Sequence, residues 1–262
     1  MMKMYKIGAV LAVIICIIAL VFSYLTWQDK LENVIAPVEA VSAVSDDQKK
    51  DKTKEVKSDK NVKINELITN MGEPLQNLFV ERNENGERLK VLIAGSAALE
   101  SGDPGYAERL EASLEEAYAD FIEVDILSIE GTSESLLDVD LSSGYDVVLL
   151  EPMTLMNNGI VAIEQEREHI NEFRAKLTEQ VEDAVLVLHP SQPIYGAGYY
   201  LAQIAALKEF AQLYDYAYIN HWTAWPDTDN EVLKDHLTED GLPNSKGAEL
   251  WAEELEAYFI AN

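Results

Sequence analysis

Five short apolar runs, each followed by a stretch with helical periodicity, set the frame for this chain. Leu89 to Ala94, Phe121 to Leu127, Asp146 to Leu150, Ala184 to Leu188 and Tyr216 to Asn220 have the length of strands, and the first four are dominated by Val, Ile and Leu. Between them, Gly105 to Asp120 places Tyr106, Leu110, Leu114 and Tyr118 near a helical period. Thr132 to Leu137, Val161 to Val181, Tyr199 to Tyr214 and Ser245 to Phe259 also read as helices, and Ile64 to Glu81 as a leading one. Strand and helix alternating about five times demands crossover connections, hence a parallel sheet covered on both faces. The expected fold is a three-layer α/β/α, flavodoxin-like domain with a sheet of about five strands.

The chain before this domain has a different character. Residues 7–27 carry no charge and are rich in Ile, Val, Ala and Leu, which is the length needed to cross the hydrocarbon core of a bilayer. Lys3 and Lys6 precede the run, while Asp29, Lys30 and Glu32 follow it, so the positive-inside bias keeps the N-terminus cytoplasmic and the rest outside. The run outlasts a signal-peptide core and no small-x-small pattern closes it, so it reads as an uncleaved anchor. Ile15 stands before Cys16 where lipidation requires a small residue. Asp46 to Lys60 has almost no apolar content and reads as a disordered tether. The expected organisation is therefore a cytoplasmic end and transmembrane helix over 1–28, a charged linker over 29–61 and a folded domain over 62–262. The protein would sit in the cell membrane as a single-pass species with its C-terminal domain extracytoplasmic.

Charge excludes a class of partners. The chain has a net charge of −27, yet residues 1–60 nearly balance, with nine lysines against eight acidic residues. The remainder holds 11 basic and 39 acidic residues. Such a domain repels nucleic acid and anionic headgroups, which leaves the N-terminal segment as the only membrane contact. Cys16, the sole cysteine, lies in the anchor, so the exported part forms no disulfide.

Several site patterns are missing. Gly95 to Gly102 lacks the ending of a phosphate loop and the spacing of a dinucleotide fingerprint, and no Gly-x-Ser-x-Gly elbow is present. Asp227 to Glu231 opens like a calcium loop, but Val232 occupies the turn-glycine position, so a solvated helix start is the simpler reading. His169, His189, His221 and His236 show no zinc spacing. Neither a cofactor nor a metal is expected.

What remains is an order of features at the strand ends. Gly95-Ser96 follows the first strand, Gly131 the second and Asn157-Asn158-Gly159 the third, while Asp240-Gly241-Leu242-Pro243-Asn244-Ser245-Lys246-Gly247 precedes the last helix. From about residue 88 onward the chain resembles the SGNH (GDSL-type) hydrolases. The closing block and His221-Trp222-Thr223-Ala224-Trp225-Pro226-Asp227 are similar to a branch of exported proteins of Gram-positive bacteria.

The resemblance implies a serine ester hydrolase acting on an ester-bearing small molecule or glycan. Ser96 would attack, Gly131 with Asn157 or Asn158 would hold the oxyanion, and Asp240 would belong to the closing Asp-x-x-His. Two blocks depart from the family pattern. Gly-Asp-Ser is replaced by Gly95-Ser96-Ala97, which puts Ala97 in the nucleophile column unless the alignment shifts by one. The closing histidine is absent, because Asp240-Gly241-Leu242 runs directly into Pro243.

A serine needs an adjacent base, so another group must serve or the domain binds without chemistry. His221, after the fifth strand, is the candidate substitute, with water-assisted Asp240 as the other. Each assignment has a structural counterpart: Ser96 as a helix N-cap, Asn157-Asn158-Gly159 as a turn, and His221 as a packed ring beside Trp222 and Trp225. Tyr195, Tyr199, Tyr200, Trp222 and Trp225 are candidates for a sugar-stacking rim, or for the core.

Overall fold

The computed structural model describes residues 63–261. The expected anchor and linker lie outside the described residues, as does the expected boundary at 61/62. Among the described residues no helix is long and apolar enough to cross a membrane.

The sheet has five strands: β1 (Leu89–Gly95), β2 (Ile122–Ser128), β3 (Val147–Leu150), β4 (Val185–Leu188) and β5 (Ala217–Tyr218). Their order is β2-β1-β3-β4-β5 and every pairing is parallel. Strand alternation sorts the side chains into two layers. Leu89, Val91, Ile93, Val147, Leu149 and Val187 face one core, which is closed by α1 (Glu73–Asn85), α2 (Tyr106–Tyr118) and α6 (Ser245–Phe259). Leu92, Ala94, Val148, Leu150, Leu186 and Leu188 face the other, closed by α4 (Ile163–Gln180) and α5 (Tyr200–Leu213). A short α3 (Thr154–Asn157) follows β3.

The expected leading helix over Ile64 to Glu81 is broken in two. A helical turn over 63–67 stops, and α1 starts afresh after Gly72 with Pro74 in its first turn. Proline fixes its own φ and disfavours helix in the residue before it, so Glu73-Pro74 opens a helix rather than continuing one. Arg82 then pins α1 to the sheet: its Nε donates to Asp146 Oδ1 at 2.8 Å and its Nη2 to both Asp183 oxygens at 2.8 and 2.9 Å. The second Asp146 oxygen accepts from the Lys90 N–H at 2.8 Å, which ties the start of β1 to the segment before β3.

Strand order reverses between β1 and β3. In an open parallel sheet, the crevice beyond the carboxyl ends at this point is where ligands settle. The backbone ladder runs past the strand ends there: the Glu151 N–H donates to the Ala94 carbonyl, His189 to Leu150 and Ile129 to Gly95. Ser96, Ile129, Glu151 and His189 are thereby set along one edge.

Candidate active site

Gly95 ends β1 where a side chain has no room. A Cβ there would lie 2.8 Å from the Glu151 Cβ. Glu151, immediately beyond β3, is fully buried and reaches across to accept the Ser96 N–H on Oε2 at 2.8 Å, while its Oε1 accepts from the Ser191 hydroxyl. No basic side chain pairs with Glu151 among the described residues; its partners there are a backbone N–H and a hydroxyl. Its negative field reinforces what burial already does to Tyr106 and Tyr200, raising both phenols well above the usual tyrosine range.

Ser96 occupies the N-cap position of a short 3-10 turn (Ala97–Leu99), but its side chain makes no capping bond. The residue is 9 % exposed and lines a cavity of about 890 Å³, where its hydroxyl has no hydrogen-bond partner among the described residues. Gly131 lines the same cavity with φ +93°, a conformation that costs a side-chain-bearing residue strain, and a Cβ there would meet Ser135 Oγ at 3.0 Å. The Gly131 N–H donates to no group among the described residues. Asp240 also lines the cavity, from the tight turn Thr238-Glu239-Asp240-Gly241, which is closed by Gly241 N–H donating to the Thr238 carbonyl at 3.0 Å. The structure thus brings Ser96, Gly131 and Asp240 to one space.

It does not bring the asparagines or His221 there. Asn157 is buried, and its Oδ1 accepts the Ser133 N–H at 2.9 Å, joining α3 to the turn after β2. Asn158 is exposed at the end of α3. From this segment it is Leu155 and Met156 that line the cavity, so aliphatic groups stand where an amide donor was expected. The reason is that α3 starts only at Thr154, after Met153 takes a left-handed φ of 55°, and one turn of helix carries Asn157 round to the protein interior.

His221 is fully buried and engaged at both nitrogens: Nε2 lies 2.8 Å from the Pro190 carbonyl, and Nδ1 accepts from Trp225 Nε1 at 3.1 Å. These partners fix a neutral imidazole with its proton on Nε2. Its ring stacks on Trp251 at 4.2 Å between centroids. Burial, helped by His189, drives its pKa well below the histidine range. His189 is equally buried, its Nδ1 accepting from Trp251 Nε1 at 3.3 Å, and its pKa is lowered to about 3 by burial. His169 meets the Ser133 hydroxyl at 2.9 Å and His236 the Val232 carbonyl at 3.1 Å. None of the four histidines lines the cavity.

The closing block divides in the same manner. Asn244 caps α6 by accepting from the Lys246 and Gly247 N–H groups, and Gly247 is required because a Cβ would lie 2.3 Å from the His236 carbonyl oxygen. Of the candidate aromatic rim, Tyr195 lines the cavity and is exposed. Tyr199 is exposed without lining it, Tyr200 and Trp225 are buried, and half-buried Trp222 donates to the Ser191 carbonyl at 2.7 Å.

The sequence pattern points to no role for Glu151, Ser191 or Gln192, the last of which lines the cavity and donates through Nε2 to the Gly241 carbonyl at 3.2 Å. The readable signal was a carboxylate directly after the uncharged run Val147 to Leu150, a place where burial follows from continuity with a central strand.

Solved structures share this fold. The chain is similar to a G-D-S-L family protein from Desulfitobacterium hafniense, with a TM-score of 0.52 and 20% identity over 65% of this chain and 99% of that one. It is also similar to a catalytic mutant of Axe2, an acetylxylan esterase from Geobacillus stearothermophilus, with a TM-score of 0.51 and 15% identity over 65% and 94%. TesA matches with a TM-score of 0.50 and 18% identity over 63% and 95%. No protein-family model and no curated protein matches the chain. At these identities the likeness establishes the fold, and the resemblance to SGNH hydrolases read from the sequence is met at that level.

Proposed function

We propose that this protein is a membrane-tethered, extracytoplasmic ester hydrolase of the SGNH type, cleaving O-acyl esters of envelope or environmental glycans with Ser96 as nucleophile. The observation that carries this reading is the Ser96 hydroxyl: it sits at the topological switch point, faces a large cavity and is not used for capping. In the proposed reaction Ser96 Oγ attacks the acyl carbon, and its proton passes through a water to the Asp240 carboxylate. The Gly131 N–H receives the carbonyl oxygen as charge develops on it. The alcohol leaves with a proton, and a second water cleaves the acyl-serine.

A carboxylate is a weaker base than imidazole, and the Ser96 N–H is committed to Glu151 rather than to an oxyanion. Slow turnover, without an imidazole inflection near pH 6.5, is therefore expected. The tether rests on the uncharged stretch over 7–27 and the lysines before it.

A second reading, a domain that binds a glycan or protein partner without chemistry, is favoured by one observation: no histidine lines the cavity. Labelling the full chain with a fluorophosphonate separates the two. Covalent modification that disappears in Ser96→Ala supports the hydrolase, and equal absence of labelling in both chains retires it. Alkaline carbonate extraction tests the tether, since release of the full chain into the supernatant contradicts an integral anchor.

A further inference from the structure

We propose that the cavity beside Ser96 is an acyl-chain site, selecting esters that join a medium-length hydrocarbon acyl group to an uncharged alcohol, over acetyl esters and over esters of anionic carriers. The reaction rests on the hydrolase reading above, whereas the substrate class rests on the cavity walls. At about 890 Å³ the space lies near the upper end of small-molecule sites, which run from roughly 300 to 1,000 Å³, and an acetyl group would leave most of it unfilled.

Its aliphatic walls come from four separate segments. Ile129 follows β2, Leu155 and Met156 follow β3, Ile194 follows β4, and Leu237 and Leu242 flank the turn that carries Asp240. Met156 and Tyr195 line the space while remaining 48 % and 41 % exposed, so apolar surface continues from the interior to the mouth. A hydrocarbon chain entering here removes both surfaces from water. Each fully buried methylene is worth roughly fourfold in binding.

The charged lining sets the other half of the specificity. Glu130, Glu239 and Asp240 face the cavity, with Lys234 as the single basic group among its lining residues. Lys234 is already occupied: its Nζ lies 3.9 Å from the centre of the Tyr195 ring and 3.5 Å from Glu231. A phosphate or carboxylate on the alcohol side would meet net negative charge, whereas sugar or glycerol hydroxyls can donate to the carboxylates. The atoms balance as a simple hydrolysis. The acyl carbon exchanges its bond to the alcohol oxygen for one to Ser96 Oγ and then for one to water, yielding alcohol, carboxylate and one proton. The carboxylate product is repelled by the same acidic groups that accept the neutral head.

The test uses the full chain in phosphatidylcholine nanodiscs, with Ser96→Ala as the blank. Hydrolysis of p-nitrophenyl octanoate is expected to exceed that of the acetate at least tenfold in kcat/KM. Leu155→Trp and Met156→Glu are each expected to narrow this ratio, and Met156 is exposed enough for its variant to fold. 1-Octanoylglycerol 3-phosphate, which presents the same oxoester on an anionic alcohol, should be cleaved at least tenfold more slowly than 1-octanoylglycerol. Equal or preferential cleavage of acetate overturns the chain site and leaves the hydrolase reading standing, and equal cleavage of the two octanoyl carriers overturns the charge selection. If neither labelling nor hydrolysis occurs, the hydrolase reading fails separately. The chain site is then judged by equilibrium dialysis of tritiated 1-O-octylglycerol against empty nanodiscs: saturable binding lost in Leu155→Trp supports it, and no saturable binding overturns it.

Discussion

The cavity at the switch point and the aromatic cluster behind it differ in how their polar groups are satisfied. In the cavity the Ser96 hydroxyl and the Gly131 N–H have no protein partner among the described residues, and their neighbours are carboxylates and aliphatic chains. In the cluster His189, His221, Trp225, Trp251 and Tyr106 are buried, and the indole N–H groups of Trp251 and Trp225 are spent on the two imidazoles, while His189 Nε2 and the Tyr106 hydroxyl have no partner among the described residues. The imidazoles act there as flat, neutral packing groups with a hydrogen-bond acceptor. The Ser96 hydroxyl and the two buried imidazoles thus lie in separate compartments, and a histidine near a strand end is no guide to which compartment it enters.

The largest expected effect strikes the cluster. Trp251 stacks on Tyr106 at 4.1 Å and on His221 at 4.2 Å, so Trp251→Ala leaves both rings unsupported and should cost about 3–5 kcal/mol in a denaturant titration. A loss below about 1 kcal/mol would mean that the cluster is not the rigid unit described.

Next come the buried ionisable groups, whose signs oppose one another. His189 and His221 have folded pKa values below the unfolded value of about 6.5, so their contribution is present above that pH and is lost as pH falls, for His189 until about 3. Glu166 is the reverse. Burial raises its pKa to about 7, against the pull of the Thr154 hydroxyl that donates to it at 2.6 Å. Its contribution is present below about 4.3 and is lost as pH rises through 7. Glu166→Gln should therefore raise stability at pH 8, by up to about 3 kcal/mol, and change it little at pH 4. An equal shift at both values, followed by thermal unfolding, would rule out titration as the cause.

His221→Phe retains a ring against Trp251 but orphans the Trp225 N–H and the Pro190 carbonyl, for an expected loss of about 1–3 kcal/mol. It should also shrink the acid-induced loss below pH 6.5. Fluorophosphonate labelling of Ser96 should persist in this variant, and its disappearance in a folded protein would join the two compartments that the structure separates.

The smallest effect on stability belongs to Ser96→Ala, within about 0.5 kcal/mol of the parent, because the hydroxyl makes no bond in the fold. That near-neutrality should accompany complete loss of labelling. A large destabilisation would instead assign the hydroxyl a structural partner.

Most of the scaffold was legible because its signals are local. The run Val147 to Leu150 has no polar position, as a central strand covered on both faces requires, and Ser245 to Phe259 shows its helical period from the first residue to the last. The leading helix departs from expectation because a hydrophobic pattern continues across Gly72-Glu73-Pro74 while the helical backbone does not. At the site, Ser96, Gly131 and Asp240 follow from position after strands and before α6. Asn157 and His221 do not, since one turn of α3 and one indole N–H decide where they point.

By itself the sequence determined the alternation of elements, the uncharged N-terminal run and the turn that presents Ser96, all of which depend on residues near one another in the chain. Only the tertiary structure decided the company Ser96 keeps. Glu151 lies 55 residues away and takes its N–H, the lining residues come from the connections after all five strands, and the indole partners of the two imidazoles lie four and 62 residues off in sequence. Such pairings are set by strand order and burial together, and neither is written in any local pattern.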